Sequence, residues 1–121
     1  MHTPQKDNLI LELSFLFAVA IVSLTEELEA IRKFNLANQL FRSGTSIGAN
    51  IREAQGCESR ADFLHKLKVV YKEAEETQYW LELCLHSKNY PSPTDLITNL
   101  ASIQRVLGKI ISSSKSNKPA P

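Results

Sequence analysis

The sequence has few residues that interrupt helices. It contains four glycines and five prolines in 121 residues, and the prolines lie near the two ends or close to residue 92. Long spans are therefore free of the residue that breaks helices most strongly. Aromatic residues make up only 7% of the chain, and β-branched residues show little alternation, so a sheet is not indicated. These absences predict an all-α protein with a single domain.

Cysteine and excess charge are also scarce. The two cysteines, Cys57 and Cys84, lie far apart with no C-x-x-C spacing, which argues against a disulfide framework or a zinc site. We expect free thiols in a reducing compartment, which indicates a cytoplasmic protein. The formal net charge is only +1, so the protein as a whole has no strong electrostatic attraction to nucleic acid or membrane.

One long hydrophobic run is present, from Leu9 to Leu24. A membrane span or a secretion signal is one interpretation of this run, and a buried helix is the other. The preceding residues are barely basic, Glu12 lies inside the run, and its length falls short of the roughly 20 residues that a bilayer requires. We therefore expect a buried helix and no membrane association.

Apolar spacing predicts four helices, at about residues 4–32, 38–55, 59–88 and 94–112. Gly56 fits the left-handed residue that ends a helix, and Ser59 followed by Asp62 fits a helix N-cap. Short connections favour an antiparallel up-down-up-down four-helix bundle over residues 1–114. The polar residues 115–121 are expected to form a disordered tail.

The first predicted helix is apolar on nearly all sides, which a lone bundle of this size cannot cover. Phe15, Val19 and Val22 lie beyond the stripe expected to face the core. The sequence therefore predicts self-association, with these three residues together with Trp80 and Leu83 at subunit contacts. We expect the chain itself to be its main partner.

The second predicted helix is rich in small residues between positions 43 and 49. Each glycine costs about 1 kcal/mol of helix propensity relative to alanine, so Gly44 and Gly48 need a compensating reason. Close approach of another helix is the interpretation we favour, and a loop is the alternative.

A polar stripe runs along the same helix, and two carboxylates lie among apolar neighbours on the third helix. Such carboxylates need partners, which Arg42 or Asn50 can supply. The stripe is interpreted as an internal polar network or a subunit contact, with a binding site as the alternative. The residues are Arg42, Ser46, Asn50, Glu53, Glu73 and Glu76.

Evidence for catalysis is weak. No phosphate-binding glycine loop, nucleophile elbow or zinc-protease motif occurs. Asp62-x-x-His65 is half of a dinuclear metal motif that needs two copies and two further glutamates. Cys57 precedes a predicted helix, where a thiol can be activated, but a structural cysteine is the simpler interpretation. We expect no enzymatic activity, catalytic residue, metal, cofactor or small-molecule substrate.

Basic residues on the third and fourth predicted helices raise a second possibility, binding of RNA or DNA through phosphate contacts. The acidic residues Glu75 and Glu82 lower the positive charge of this surface, so an ordinary solvated surface is the alternative. The residues are Arg60, His65, Lys66, Lys68, Lys72, Arg105 and Lys109.

The segments SFLFAVAIV, QLFRSGTSIGANIREAQ and SRADFLHKLKVVYKEAEETQYWLEL resemble a family of small bacterial four-helix bundles. Its founding members are encoded in intervening sequences of the 23S ribosomal RNA gene. The likeness covers about residues 9–111. Its most specific parts are R-S-x-x-S-I-x-x-N-I-x-E-A from Arg42 and K-E-x-x-E-T-x-Y-W-L from Lys72.

The resemblance implies an antiparallel bundle that assembles in the cytoplasm as a ring, typically a homopentamer, without established enzymatic activity. Related bundles serve diversity-generating retroelements as accessory proteins that bind nucleic acid and a reverse transcriptase through a basic surface. This chain departs at Ala20 and Ser23, where relatives often carry a basic residue, and in its near-neutral charge. Both departures weaken the interpretation that the protein binds nucleic acid. They do not affect the predicted fold.

Overall fold

The computed structural model describes residues 5–116, with side chains for residues 9–115. It contains four helices, α1 (Gln5–Ala30), α2 (Phe34–Ala54), α3 (Arg60–His86) and α4 (Thr94–Ser116), and no strand within that range. Each helix packs against the next, and α1 packs against α4, whereas α1 and α3, and α2 and α4, lie diagonally across the core. The chain is therefore an up-down-up-down bundle of square cross-section, and the predicted fold class is confirmed.

The core is formed by one apolar stripe from each helix. On α1 the buried stripe repeats at helical spacing and leaves the opposite side of the helix uncovered. The largest fully buried side chains are Phe17, Ile10, Ile21, Leu28, Leu40, Ile47, Ile51, Leu67, Leu81, Leu100, Ile103 and Leu107.

Two glycines among the small residues of α2 lie where α1 packs closely against α2. A Cβ atom placed on Gly44 would lie 2.8 Å from Cγ1 of Ile21, and one placed on Gly48 would lie 3.2 Å from the carbonyl oxygen of Ser14. Both glycines are helical, so the loop interpretation is wrong. They are needed because α1 occupies the space that a side chain would fill.

The connection between α1 and α2 is shorter than the sequence predicts. The second helix begins at Phe34 rather than near Asn38, although Lys33 provides no side-chain cap. Packing explains the earlier start, because Ala37 is fully buried and Leu36 packs against the core. Arg32, with φ of 67°, forms the left-handed end of α1, and the Lys33 amide donates to the Leu28 carbonyl.

The end of α2 also differs from the prediction. Gly56 does not adopt a positive φ, so its assignment as a left-handed terminator is wrong. The amides of Gln55, Gly56 and Cys57 instead donate to carbonyls three residues earlier, which tightens the last turn. The predicted N-cap of α3 is confirmed, since the Ser59 hydroxyl accepts the Asp62 amide at 3.1 Å.

The ends of α3 and α4 differ as well. α3 ends at His86, two residues before the predicted boundary, and Asn89 in the following turn has a φ of 67°. α4 continues to Ser116, so the first two residues of the predicted tail are helical. The remainder of that tail, residues 117–121, lies outside the described residues, as do residues 1–4 at the other end.

Candidate functional site

An ion cluster joins α2 to α3. The Arg42 guanidinium donates to Glu76 and lies 3.6 Å from Oε1 of Glu73, while the Ser46 hydroxyl lies 3.0 Å from the same Glu73 oxygen. Arg42 also donates to the Gln39 side chain at 3.0 Å. Arg42 is half exposed and Glu73 is about a quarter exposed, so the cluster lies at the rim of the core. Its position suits a fixed contact between two helices.

Trp80 completes this cluster. Its indole nitrogen donates to Glu76 at 2.9 Å, so one carboxylate accepts both the guanidinium and the indole. The ring is partly buried against the core and meets Tyr79 edge-on at a centroid distance of 5.2 Å. One edge of Trp80 is therefore held by a hydrogen bond while part of its face remains open to solvent.

Two residues of the predicted polar stripe make other contacts. The Asn50 amide donates to the Ser46 carbonyl within α2. Glu53 pairs with Lys66 at 2.8 Å, where Lys66 is about 70% covered. The network thus divides into the Arg42 cluster and a separate Glu53–Lys66 pair. The same pairing turns Lys66 towards α2, away from the remaining basic residues of α3.

The outer side of α1 carries exposed apolar side chains. Phe15 is 54% exposed, Val19 53% and Val22 37%. On α2, Phe41 is 51% exposed as well. We call these four residues, Phe15, Val19, Val22 and Phe41, the apolar ridge. By length and composition alone Leu9–Ala30 could also cross a membrane, a test that the core helix of a soluble protein passes as well.

Phe41 was missed by the sequence reasoning. Phe34, which is 48% exposed, and Phe41 are seven residues apart on α2, away from the buried stripe of Leu40 and Ile47. A pair of large apolar residues outside the core-facing stripe was the available signal. It extends the exposed apolar surface from α1 onto α2.

A groove of about 470 Å³ lies between α2 and α3, beside the Arg42 cluster. Leu36, Trp80, Leu83 and Tyr90 line it with apolar surface, and amide side chains of α2 line it as well. Leu83 is 40% exposed, and the Lys33 ammonium lies 5.1 Å from the centre of the Tyr90 ring. We call these four residues the Trp80 groove. It shares α2 with the apolar ridge, but it opens on the adjacent side of the bundle.

Most of the predicted basic patch lies on the exposed surface of α3 and α4. Lys68 lines a shallow cleft between these helices together with Tyr71 and Lys115. Lys72 and Lys109 are exposed, and Arg105 donates to the Ser102 hydroxyl. Arg60 and His65 are also exposed near the start of α3. This basic face is on the opposite side of the bundle from the apolar ridge.

Among the described residues, no group of three or more His, Cys, Asp or Glu side chains could hold a metal ion. Cys57 is a partly buried free thiol in the connection before α3, and His65 is exposed. Cys84 is fully buried on the core side of α3, and its thiol donates to the Pro91 carbonyl at 3.3 Å. This arrangement shields the Cys84 sulfur from reactants in solution.

Burial raises the pKa of the Cys84 thiol, and the negative charge of Glu27 raises it further. The folded protein therefore holds this proton more tightly than the unfolded chain. We expect the free energy of unfolding to fall as the pH rises from about 8 to about 10, because the unfolded thiol ionises first. Urea denaturation across this range measures the effect. Cys84→Ala should flatten the pH dependence and Cys57→Ala should preserve it, and identical curves for the two variants would contradict the assignment.

The chain is similar to a known family over nearly its whole length. Residues 6–112 match the family model of the 23S rRNA-intervening sequence protein. A crystal structure of a protein of unknown function from the S23 ribosomal protein family of Bacteroides thetaiotaomicron superposes with a TM-score of 0.84 at 43% sequence identity, covering 89% of this chain and 99% of that one. No curated protein matches the sequence. The chain therefore belongs to the 23S rRNA-intervening sequence protein family.

Proposed function

We propose that this protein is a non-catalytic scaffold or adaptor that acts as a cytoplasmic homo-oligomer, with a pentameric ring as the expected form. The observation that carries this proposal is the apolar ridge. Four large side chains there remain between 37% and 54% exposed although the core of the bundle is complete. Single exposed apolar residues are common, but a continuous apolar surface marks an interaction site.

In the most polar cluster of the bundle, the single Arg42 guanidinium contacts two carboxylates, those of Glu73 and Glu76. Its groups link α2 to α3, and the Ser46 hydroxyl in it lies within hydrogen-bond distance of Glu73 and of the Ser43 carbonyl. The ion cluster therefore supports a structural role for these residues.

Sedimentation velocity at micromolar and lower concentrations tests the assembly. The wild-type chain is expected to sediment as an oligomer. Val19→Glu should dissociate it, because the substitution places a charge in the buried interface while leaving the bundle core untouched. Ser112→Glu, which adds the same charge to an exposed position of α4, should keep the wild-type state. A monomeric wild-type protein would overturn the proposal.

A second candidate function is binding of RNA or DNA, which the basic face of α3 and α4 favours. Lys68, Lys72 and Lys109 are exposed there without an acidic partner among the described residues, on the side that the apolar ridge leaves free. An oligomer would present several copies of this face, and multivalency would strengthen weak phosphate contacts.

Filter binding with structured RNA and with DNA tests this second candidate. The double variant Lys68→Glu and Lys72→Glu is expected to weaken binding at least tenfold, whereas Lys88→Glu in the turn after α3 should have little effect. Wild-type affinity should fall steeply between about 50 and 200 mM salt. Affinity that is indifferent to salt would exclude phosphate contacts.

A further inference from the structure

We infer that the cleft between α3 and α4 binds one unpaired nucleotide of a single-stranded RNA or DNA, with the base on Tyr71 and a phosphate beside Lys68 and Lys115. This inference rests on the second proposed function and names the form of nucleic acid that the basic face selects. Single strands and the loops of folded RNA present unpaired bases, whereas the bases of a duplex are stacked and paired.

The cleft is mainly apolar although it lies on a basic surface. Its volume is about 350 Å³. Tyr71 is 44% exposed, so much of its ring is free to make contact, and Ile111 on the facing helix is partly buried against the core. An aromatic ring beside an aliphatic side chain is a surface on which an unpaired base can stack. The residues that line the cleft are Lys68, Tyr71, Gly108, Ile111, Ser112 and Lys115.

The cleft has a positively charged end and an apolar end. Lys68 lies one turn before Tyr71 on α3. On α4, Lys115 lies seven residues after Gly108, a separation of about 10 Å along the helix axis. Because the two helices are antiparallel, the beginning of α3 lies beside the end of α4, so both lysines are towards the same end of the cleft. A nucleotide has the same asymmetry, with an anionic phosphate at one end and a flat base at the other.

The charges around the cleft favour a chain of phosphates over a single small anion. Lys72 and Lys109 are also exposed, and each directly follows a residue that lines the cleft. Glu73 contacts α2 instead, and Glu75 lies one turn beyond Tyr71, away from the charged end. A free phosphate or carboxylate would meet only one part of this surface, whereas a strand can meet several of its cations.

Gly108 leaves space in the cleft. A Cβ atom placed there would meet no atom within 4 Å, unlike one placed on Gly44 or Gly48, where α1 occupies the space. Glycine is a poor helix former, and no close neighbour within the bundle requires it at this position. A larger side chain at position 108 would extend into the cleft and occupy the volume assigned to the base.

Fluorescence anisotropy with a short labelled single strand, and with the blunt duplex of the same sequence, tests the inference. Phosphate contacts alone favour the duplex, because its charge density is higher. The wild-type protein is expected to prefer the single strand instead. Tyr71→Ala should weaken single-strand binding at least about fivefold and leave duplex binding unchanged, because a stacking surface is lost. Tyr71→Phe keeps the ring and should keep the affinity.

Substitutions at Gly108 test the shape of the cleft without changing any charge. Gly108→Leu should weaken single-strand binding as much as Tyr71→Ala does, whereas the smaller Gly108→Ala should retain most of the affinity. Both replacements are better helix formers than glycine, and thermal unfolding checks that they remain folded. The dependence on salt should stay as steep as in the wild type, since every lysine is kept. Tyr79→Ala removes an exposed tyrosine of α3 outside the cleft and should bind like the wild type.

The outcomes separate this inference from the proposed function. A wild-type protein that binds neither probe would overturn nucleic-acid binding and the role of the cleft together. Binding that the double variant Lys68→Glu and Lys72→Glu weakens, but that Tyr71→Ala leaves unchanged, would overturn only the cleft and leave phosphate contacts in place. A loss in Tyr71→Ala with none in Gly108→Leu would also overturn it, because the base would then stack outside the cleft. A single-strand preference that both substitutions abolish supports the inference.

Discussion

Replacing Gly44 by alanine is expected to destabilise the protein by about 1–3 kcal/mol, although alanine is the better helix former. The added methyl group would lie within 3.0 Å of three side-chain atoms of Ile21, which is itself fully buried. Ile21 cannot withdraw without displacing core neighbours, so α1 must move away from α2. Urea denaturation at one fixed protein concentration measures the loss and avoids differences caused by assembly.

Gly108 provides a matched control for this substitution. A Cβ atom on Gly108 would meet no atom within 4 Å, so Gly108→Ala should stabilise α4 by up to about 1 kcal/mol through helix propensity alone. Ile21→Ala removes the atoms that obstruct Gly44→Ala. The double variant should therefore be more stable than the sum of the single effects by about 1 kcal/mol or more. Equal stabilisation by Gly44→Ala and Gly108→Ala would contradict the close approach of α1 and α2.

Replacing Arg42 by glutamate is expected to cost about 2 kcal/mol. The change removes the cation shared by Glu73 and Glu76 and places a third carboxylate beside them. A half-exposed ion pair contributes at most about 1 kcal/mol, and repulsion between the like charges adds a similar amount. Thermal and urea unfolding measure the loss, and Trp80 fluorescence should change because Glu76 holds the indole.

Two further variants isolate the electrostatic origin of this effect. Lys72→Glu makes the same change of charge at an exposed position on α3 and should cost less than about 0.5 kcal/mol. The exchanged pair Arg42→Glu with Glu76→Arg should recover part of the lost stability. High salt should reduce the cost of Arg42→Glu by screening the repulsion. Equal costs for Arg42→Glu and Lys72→Glu would show that the cluster adds nothing to stability.

The helical fold was predictable because its main signal is periodic. The stripe from Leu67 through Val70, Ala74 and Leu81 repeats at helical spacing and is buried throughout, and the close approach at Gly44 followed from its poor helix propensity. The start of α2 was not predictable in this way. Tertiary packing of Ala37 extends the helix to Phe34 where no capping residue marks a boundary.

The candidate site was predictable only in part. A polar stripe identifies residues that need partners, and Arg42 does meet Glu73 and Glu76. Spacing along a single helix does not determine which residue of a neighbouring helix each side chain reaches. That choice depends on the relative register of α2 and α3, which pairs Glu53 with Lys66 and removes both from their predicted groups.

The four helices do not share the packing equally. α2 lies closely against both of its neighbours, whereas α4 packs less extensively against α1 and α3. Native proteins open first where burial and contact are least, so backbone amides of α4 should exchange their hydrogens with solvent before those of α2. We therefore expect local opening of the bundle to begin at α4.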